Sequence, residues 1–111
     1  MRRVVVTGYG IVSSIGNNKT EVLDSLLNTK SGLAFCQEYA DKGFRSHVYG
    51  PISLDLKESV DRKLLRFMGD GSAFNYVAMR EAIEHAGLPP ELVSHEKTGL
   101  ITGTGGTSTM N

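Results

Sequence analysis

The run of β-branched residues from Val4 to Thr7, followed by Gly8-Tyr9-Gly10, constrains the fold of this chain more than any other feature. The run has no alternation of apolar and polar residues, which is typical of a strand covered on both faces in a parallel or mixed sheet. A second apolar run, Thr98 to Gly103, leads into another glycine-rich turn. The sequence therefore predicts an α/β fold with helices packed on both faces of a sheet.

Two helices are predicted from capping signals between these runs. Asn17-Asn18 provides caps for a helix from Lys19 to Asn28, and Asp61 provides a cap for a short helix from Arg62 to Met68. We expect the first helix to carry one apolar stripe, formed by Val22, Leu23, Leu26 and Leu27.

A longer helix is predicted to begin with Asp70 or Ser72 as its cap and to end at Gly87 as its C-cap glycine. The residues expected on one face of this helix are Phe74, Val77, Ala78, Glu81, Ala82 and His85. A short strand is also predicted between Arg45 and Gly50.

Composition narrows the class of protein. The chain has 111 residues, 12 Lys and Arg against 12 Asp and Glu, and a single cysteine. A net charge of zero does not favour binding to nucleic acid or to an anionic membrane, and one cysteine excludes an intrachain disulfide. No apolar run has the length of a membrane span. We therefore expect a cytoplasmic protein that binds neither nucleic acid nor a membrane.

The sequence predicts fewer helices and strands than two buried strands need around them. A two-stranded sheet is rarely stable without further strands, and the predicted helices are too few to cover two strands on both faces. We therefore expect the chain to be part of a larger protein, with no internal domain boundary in residues 1–111.

The glycine motifs allow two interpretations. Gly8-Tyr9-Gly10 follows a strand, but Ser13 stands where a dinucleotide site has its third glycine, and no helix begins at once. Gly103-Thr104-Gly105-Gly106 lacks the lysine of a phosphate-binding loop. Structural turns with close backbone packing are the favoured interpretation of both. Cofactor binding at the first motif and a substrate-lining wall at the second are the alternatives, and we expect no cofactor.

No catalytic or metal-binding set is evident. Cys36 has no histidine near it in sequence and is interpreted as a packing residue. His47, His85 and His95 lack metal-ligand spacing. We expect the first two to be packed and partnered, and His95 to be exposed.

A group of basic residues is the strongest candidate site. Arg62 and Arg66 are one helical turn apart and share a face, and Lys63 flanks them. Such a patch suits an acidic partner. The alternative is a solvated helix face, partly balanced by Asp61 and Asp70.

Along its whole length the chain resembles the beta-ketoacyl-ACP synthases, the condensing enzymes of fatty acid synthesis, and within them the type I branch. The segments that carry the resemblance are Val4–Gly8, Gly10–Asn18, Phe44–Gly50, Asp61–Lys63, Arg66–Met68 and Gly103–Gly106. The resemblance implies a thiolase-like fold with αβαβα layers, a mixed five-stranded sheet in each half, and a homodimer. This chain would form the first portion of the N-terminal domain, incomplete by itself.

The family's reaction is a decarboxylating Claisen condensation of an acyl group with malonyl-ACP. It uses a cysteine and two histidines that come later in the family's sequence, and Cys36, His47 and His85 match none of them. The resemblance therefore implies no catalytic residue in this chain, which we expect to be inactive alone. The alternative is a non-enzymatic half-domain that binds acyl carrier protein or another partner.

Two secondary roles follow from the resemblance. The family docks acyl carrier protein, an acidic helical protein, on a basic patch matched in part by Arg62, Lys63 and Arg66. A glycine-rich turn in the family lies near the acyl tunnel and the dimer interface. The matching residues here are Gly105, Gly106, Thr107 and Ser108.

Overall fold

A computed structural model describes residues 2–106. Its helices are α1 (Lys19–Leu27), α2 (Gln37–Asp41), α3 (Leu56–Ser59), α4 (Arg62–Leu65), α5 (Asp70–Ala86) and α6 (Pro90–Val93), and its strands are β1 (Ala34–Phe35) and β2 (Val48–Tyr49). The chain divides into two compact units. One consists of Ile11–Leu54, and the other joins the residues up to Gly10 with those from Asp55 onward.

In the unit Ile11–Leu54, α1 begins where the sequence predicts. The side chain of Asn18 accepts a hydrogen bond from the backbone N–H of Glu21 at 3.0 Å. Glu21 in turn accepts from the backbone N–H of Asn17 at 2.7 Å. The first bond satisfies a donor that a helix start leaves unpaired, and the second ties the residue before the cap to the first turn. The helix ends at Leu27 with Asn28 as C-cap.

The apolar stripe of α1 is buried only in part. Val22 is buried together with Ser25, whose hydroxyl donates to the carbonyl oxygen of Ile15 at 2.6 Å. The other three members of the predicted stripe, Leu23, Leu26 and Leu27, are exposed. The part of the stripe that these leucines form is therefore left uncovered in the described residues.

The same unit contains an antiparallel pair of strands. Ala34 of β1 faces Tyr49 of β2, and Phe35 faces Val48. The strand predicted between Arg45 and Gly50 is thus confirmed in a shorter form as β2, whereas β1 was not predicted.

In the other unit, α5 is the longest helix of the described chain. It ends as predicted at Gly87, whose φ of 62° is a left-handed conformation that suits glycine. Its N-cap is Gly69, so Asp70 lies in the first turn and the prediction that Asp70 or Ser72 is the cap was wrong. Ala73 of α5 is fully buried, and Val60, just before α4, is 4% exposed.

The predicted face of α5 is confirmed over most of its length. Phe74, Val77, Ala78, Glu81 and Ala82 are half-buried, whereas Asn75, Tyr76, Met79 and Arg80 are exposed. His85, the last residue of the predicted face, is exposed.

Gly8 and Gly10 lie directly against the C-terminal half of α5. A Cβ at Gly8 would lie 2.6 Å from the carbonyl oxygen of Ala82, and a Cβ at Gly10 would overlap the carbonyl of Ala78. These approaches confirm the structural interpretation of the motif, since each glycine lets the chain reach the helix backbone.

The two predicted core strands are absent. Residues 4–7 and 98–103 form no strand, and Val4 and Ile101 are 91% and 96% exposed. A strand needs a hydrogen-bonded neighbour, and within residues 2–106 only β1 and β2 pair as a sheet. The α/β class is confirmed, but the predicted burial of these two runs is wrong for the described chain, and no five-stranded sheet is present in it.

Candidate functional site

The candidate site is built on two short helices capped by aspartates. Asp55 accepts a hydrogen bond from the backbone N–H of Lys57 at 2.8 Å at the start of α3. Asp61 accepts from the backbone N–H of Lys63 at 2.7 Å at the start of α4. Val60 is buried between the two helices, and it anchors the segment that joins them.

A groove of about 420 Å³ lies on this pair of helices. It is lined by Lys57, Arg62, Leu65 and Arg66, and we call it the basic groove. The structure thus brings together Arg62 and Arg66, as the sequence predicts. Lys63 is exposed on the same helix but does not line the groove.

The guanidinium of Arg66 also lies over an aromatic ring. Its central carbon is 4.7 Å from the centroid of Phe67, within the range of a cation–π interaction. Phe67 is 75% exposed, so this contact lies at the surface of the chain.

Among the described residues, no acidic side chain forms an ion pair with the cations of the basic groove. Within residues 2–106 the ion pairs are Lys30–Asp24 and Lys42–Glu38, both outside the groove. The nearby carboxylates of Asp55 and Asp61 accept backbone N–H groups at their own helix starts. Lys57, Arg62 and Arg66 therefore present positive charge that an acidic ligand can pair with.

Lys57 is a groove residue that the sequence reasoning missed. It lies on α3, which was not predicted, five positions before Arg62 and outside the i, i+4 pattern that identified Arg62 and Arg66. The available signal was Asp55, an N-cap type of residue that marks the start of α3.

The glycine-rich turn near the end of the described chain is open. A Cβ at Gly103, Gly105 or Gly106 would meet nothing within 4 Å, so the close backbone packing expected there is wrong. The hydroxyl of Thr104 donates to the carbonyl oxygen of Gly106 at 2.6 Å. Thr107 and Ser108, also predicted here, lie outside the described residues.

The cysteine and the histidines contact local partners. Cys36 is half-buried, and its backbone N–H donates to the carbonyl of His47, whose ring lies edge-on to Phe35 with centroids 6.0 Å apart. His85 lies edge-on to Tyr9 at 4.9 Å, and its Nδ1 is 3.3 Å from both the backbone nitrogen and oxygen of that residue.

Two of these histidines differ from expectation in their exposure. His47 and His85 are partnered as predicted, but both are exposed rather than packed. His95 is exposed as predicted, and its Nδ1 accepts from the backbone N–H of Lys97 at 3.1 Å.

The described chain holds no metal centre and no membrane span. In residues 2–106 no three His, Cys, Asp or Glu side chains come together in a way that would hold a metal ion. No helix in that stretch has the length and apolar character needed to cross a bilayer.

Comparison with known proteins identifies relatives along the whole chain. Residues 1–111 match the profile of the family described as "Beta-ketoacyl synthase, N-terminal domain". The chain is 54% identical over 111 residues to the 3-oxoacyl-[acyl-carrier-protein] synthase 1 of Haemophilus influenzae, and the match covers all of this chain and 27% of that protein.

Two further relatives carry the same name, 3-oxoacyl-[acyl-carrier-protein] synthase 1. The synthase 1 of Escherichia coli strain K12 is 51% identical over 109 residues, covering 97% of this chain and 27% of its own length. The synthase 1 of Buchnera aphidicola subsp. Baizongia pistaciae is 52% identical over 106 residues, and the match covers 94% of this chain and 26% of that protein. The chain thus spans about a quarter of the length of these relatives.

Proposed function

Since the chain belongs to the beta-ketoacyl synthase family, we propose that it forms the N-terminal part of a 3-oxoacyl-acyl carrier protein synthase 1. Such an enzyme condenses an acyl group, carried as a thioester, with malonyl-ACP and releases carbon dioxide, in fatty acid biosynthesis in the cytoplasm. The non-enzymatic half-domain is not favoured, because the relatives at 51% to 54% identity are named as synthases.

Within that enzyme, this chain contributes the docking of acyl carrier protein at the basic groove. The observation that carries the proposal is the convergence of Lys57, Arg62 and Arg66 on one concave surface, where no acidic side chain of the described part of the chain is paired with them. Lys63, exposed on α4, adds charge beside the groove. An acidic partner would be steered to this surface by long-range attraction and held there by charge-assisted hydrogen bonds.

The other parts of the proposal concern residues outside the groove. Gly105 and Gly106, with Thr107 and Ser108, would lie near the acyl tunnel or the interface of a homodimer. The reacting cysteine and histidines of the enzyme are not supplied by this chain. Cys36, His47 and His85 make the local contacts of structural residues, which supports this view.

The first test is the binding of acyl carrier protein to the purified chain, measured by calorimetry at low salt. The variant Arg62→Gln/Lys63→Gln/Arg66→Gln is expected to bind at least tenfold more weakly, because it removes three charges from the docking surface. A matched control, Arg3→Gln/Arg80→Gln/Lys97→Gln, removes three charges of the same unit that do not line the groove. Equal weakening in both variants would contradict docking at this site.

The second test concerns the chemistry. Incubated with acyl-ACP and malonyl-ACP, the chain by itself is expected to give no 3-oxoacyl product by mass spectrometry. Formation of that product would overturn the proposal that the reacting groups lie elsewhere in the enzyme.

A further inference from the structure

We propose that His85 forms a proton-controlled contact with the backbone of Tyr9. When the imidazole is neutral, its Nδ1 accepts a hydrogen bond from the N–H of Tyr9. When the ring gains a proton, Nδ1 donates to the carbonyl oxygen of Tyr9 instead. The contact is separate from the basic groove, and it gives the junction between the N-terminal residues and α5 two states that are set by pH.

The geometry of the contact allows both bonds. Nδ1 of His85 lies 3.3 Å from the backbone nitrogen of Tyr9 and 3.3 Å from its backbone oxygen. An N–H group only donates and a carbonyl oxygen only accepts, so the two bonds require opposite roles of Nδ1. Histidine is the side chain that exchanges these roles through a change of charge between pH 5 and 8. One ring nitrogen at equal distance from a donor and an acceptor is what such an exchange needs.

The direction of the backbone N–H identifies the neutral form of the ring. The N–H of Tyr9 points at Nδ1 of His85. A proton on Nδ1 would meet that N–H head-on, so the neutral tautomer that fits carries its proton on Nε2. The ring is also held in orientation by the Tyr9 side chain, which it meets edge-on with centroids 4.9 Å apart. The neutral state therefore has one defined hydrogen bond.

The backbone on either side of Tyr9 is fixed against α5. A Cβ at Gly8 would lie 2.6 Å from the backbone nitrogen of Ala86, and a Cβ at Gly10 would lie 2.9 Å from that of Ala82. Because both flanking residues are in close contact with the helix backbone, Tyr9 stays within reach of the ring when the charge changes. The proton therefore exchanges one bond for another and does not separate the two segments.

The position of His85 on the helix also accommodates the charged ring. His85 lies in the last turn of α5, where the helix dipole favours a positive charge. A bond from a charged imidazole to a carbonyl oxygen is stronger than one between neutral groups. The protonated state therefore has a bond of its own to replace the one that is lost.

The titratable groups around His85 are few. Tyr9 is the group on the N-terminal residues that contact it. On α5, Glu84 precedes it directly and Glu81 lies one helical turn earlier on the same face. The residues 87–89 that follow carry no titratable side chain. A response of the contact between pH 5 and 8 is thus assigned either to the imidazole or to a neighbouring carboxylate, and the test separates these two sources.

The test follows the chain by NMR between pH 8 and pH 5. At pH 8 the ¹⁵N signal of Nδ1 is expected to be that of an unprotonated nitrogen, with the Tyr9 amide protected from hydrogen exchange. At pH 5 Nδ1 is expected to carry a proton and the protection factor of the Tyr9 amide to fall about threefold or more. A proton on Nδ1 at pH 8, or an unchanged protection factor, would overturn the proposal.

Three variants identify the group responsible. His85→Gln does not titrate and is expected to abolish the response of the Tyr9 amide to pH. His95→Gln, the control, removes a histidine of the same unit whose Nδ1 accepts from the N–H of Lys97, and it is expected to keep that response. Glu81→Gln is expected to keep it as well. A response that survives in His85→Gln, or that disappears in Glu81→Gln, would show that the imidazole does not control the contact.

Discussion

The carbonyl oxygen of Ala78 in α5 occupies the space in which a Cβ of residue 10 would lie. Gly10 is the residue that allows this approach, and Gly8 makes a similar one to Ala82. The motif is explained by packing against the C-terminal half of a helix. A dinucleotide phosphate would instead bind at a helix N-terminus.

Gly10→Ala is therefore expected to lower the free energy of unfolding by about 1–3 kcal/mol, because the added methyl displaces a helix backbone that cannot yield easily. Urea denaturation followed by circular dichroism measures the change. Gly71→Ala is the control, since a Cβ there meets nothing within 4 Å and the residue lies in α5. It is expected to raise stability by about 0.5–1 kcal/mol. A Gly10→Ala variant as stable as the original chain would contradict the packing.

The sequence predicted the elements that depend on local signals. The start of α1 at its asparagine cap and the end of α5 at Gly87 were predicted because capping residues act within one helical turn. The runs at residues 4–7 and 98–103 were predicted wrongly as buried strands, because pairing and burial depend on distant segments. Gly69 was missed as a cap because it has no side chain to signal the role.

The hydroxyl of Ser25 holds α1 to the preceding turn. It donates to the carbonyl of Ile15 from a buried position, so Ser25→Ala is expected to lower the free energy of unfolding by about 1–2 kcal/mol. Ser46→Ala, at an exposed position in the same unit, is expected to change stability by less than about 0.5 kcal/mol. Thermal denaturation compares the two. A similar melting temperature for both variants would count against the role of this bond.

The exposed pair Glu38 and Lys42 gives a prediction for titration. Its hydrogen bond and opposite charges lower the pKa of Glu38 and raise the pKa of Lys42. The stabilisation from Glu38 is present above the ordinary glutamate pKa of about 4.3 and is lost as pH falls through the lowered pKa. The stabilisation from Lys42 is present below the ordinary lysine pKa and is lost as pH rises through the raised pKa of Lys42.

The variant Lys42→Gln tests this coupling. It is expected to raise the pKa of Glu38 towards its ordinary value, as followed by NMR of the side-chain carboxyl carbon. Lys30→Gln, which removes the lysine of the other ion pair, is expected to leave that pKa unchanged. An unchanged Glu38 pKa in Lys42→Gln would show that the pair does not form in solution.

Substitutions of Asp61, the N-cap of α4, distinguish the effect of helix capping on stability from the effect of charge at the basic groove. Asp61→Ala removes the acceptor for the N–H of Lys63 and is expected to cost about 1 kcal/mol, whereas Asp61→Asn keeps a good cap and is expected to cost much less. Asp61→Asn also removes a negative charge one residue from Arg62, so we expect it to bind acyl carrier protein at least as tightly. Unfolding and binding measurements on both variants check this, and weaker binding by Asp61→Asn would contradict it.

Only part of the candidate site was predictable, because the sequence shows patterns within one helix but not how two helices pack together. Arg62 and Arg66 follow from the spacing of one helix, which the sequence shows directly. Lys57 and Leu65 become groove residues only through the packing of α3 against α4, which no local pattern encodes.

The most direct test of the central claim is to map the binding of acyl carrier protein on the chain by ¹H–¹⁵N NMR. The account predicts that the largest shift changes fall on α3, α4 and Phe67, and that they shrink as salt is added. Changes concentrated on the exposed face of α5 that carries Tyr76, Met79 and Arg80 would contradict docking at the basic groove. So would the absence of any salt-dependent change.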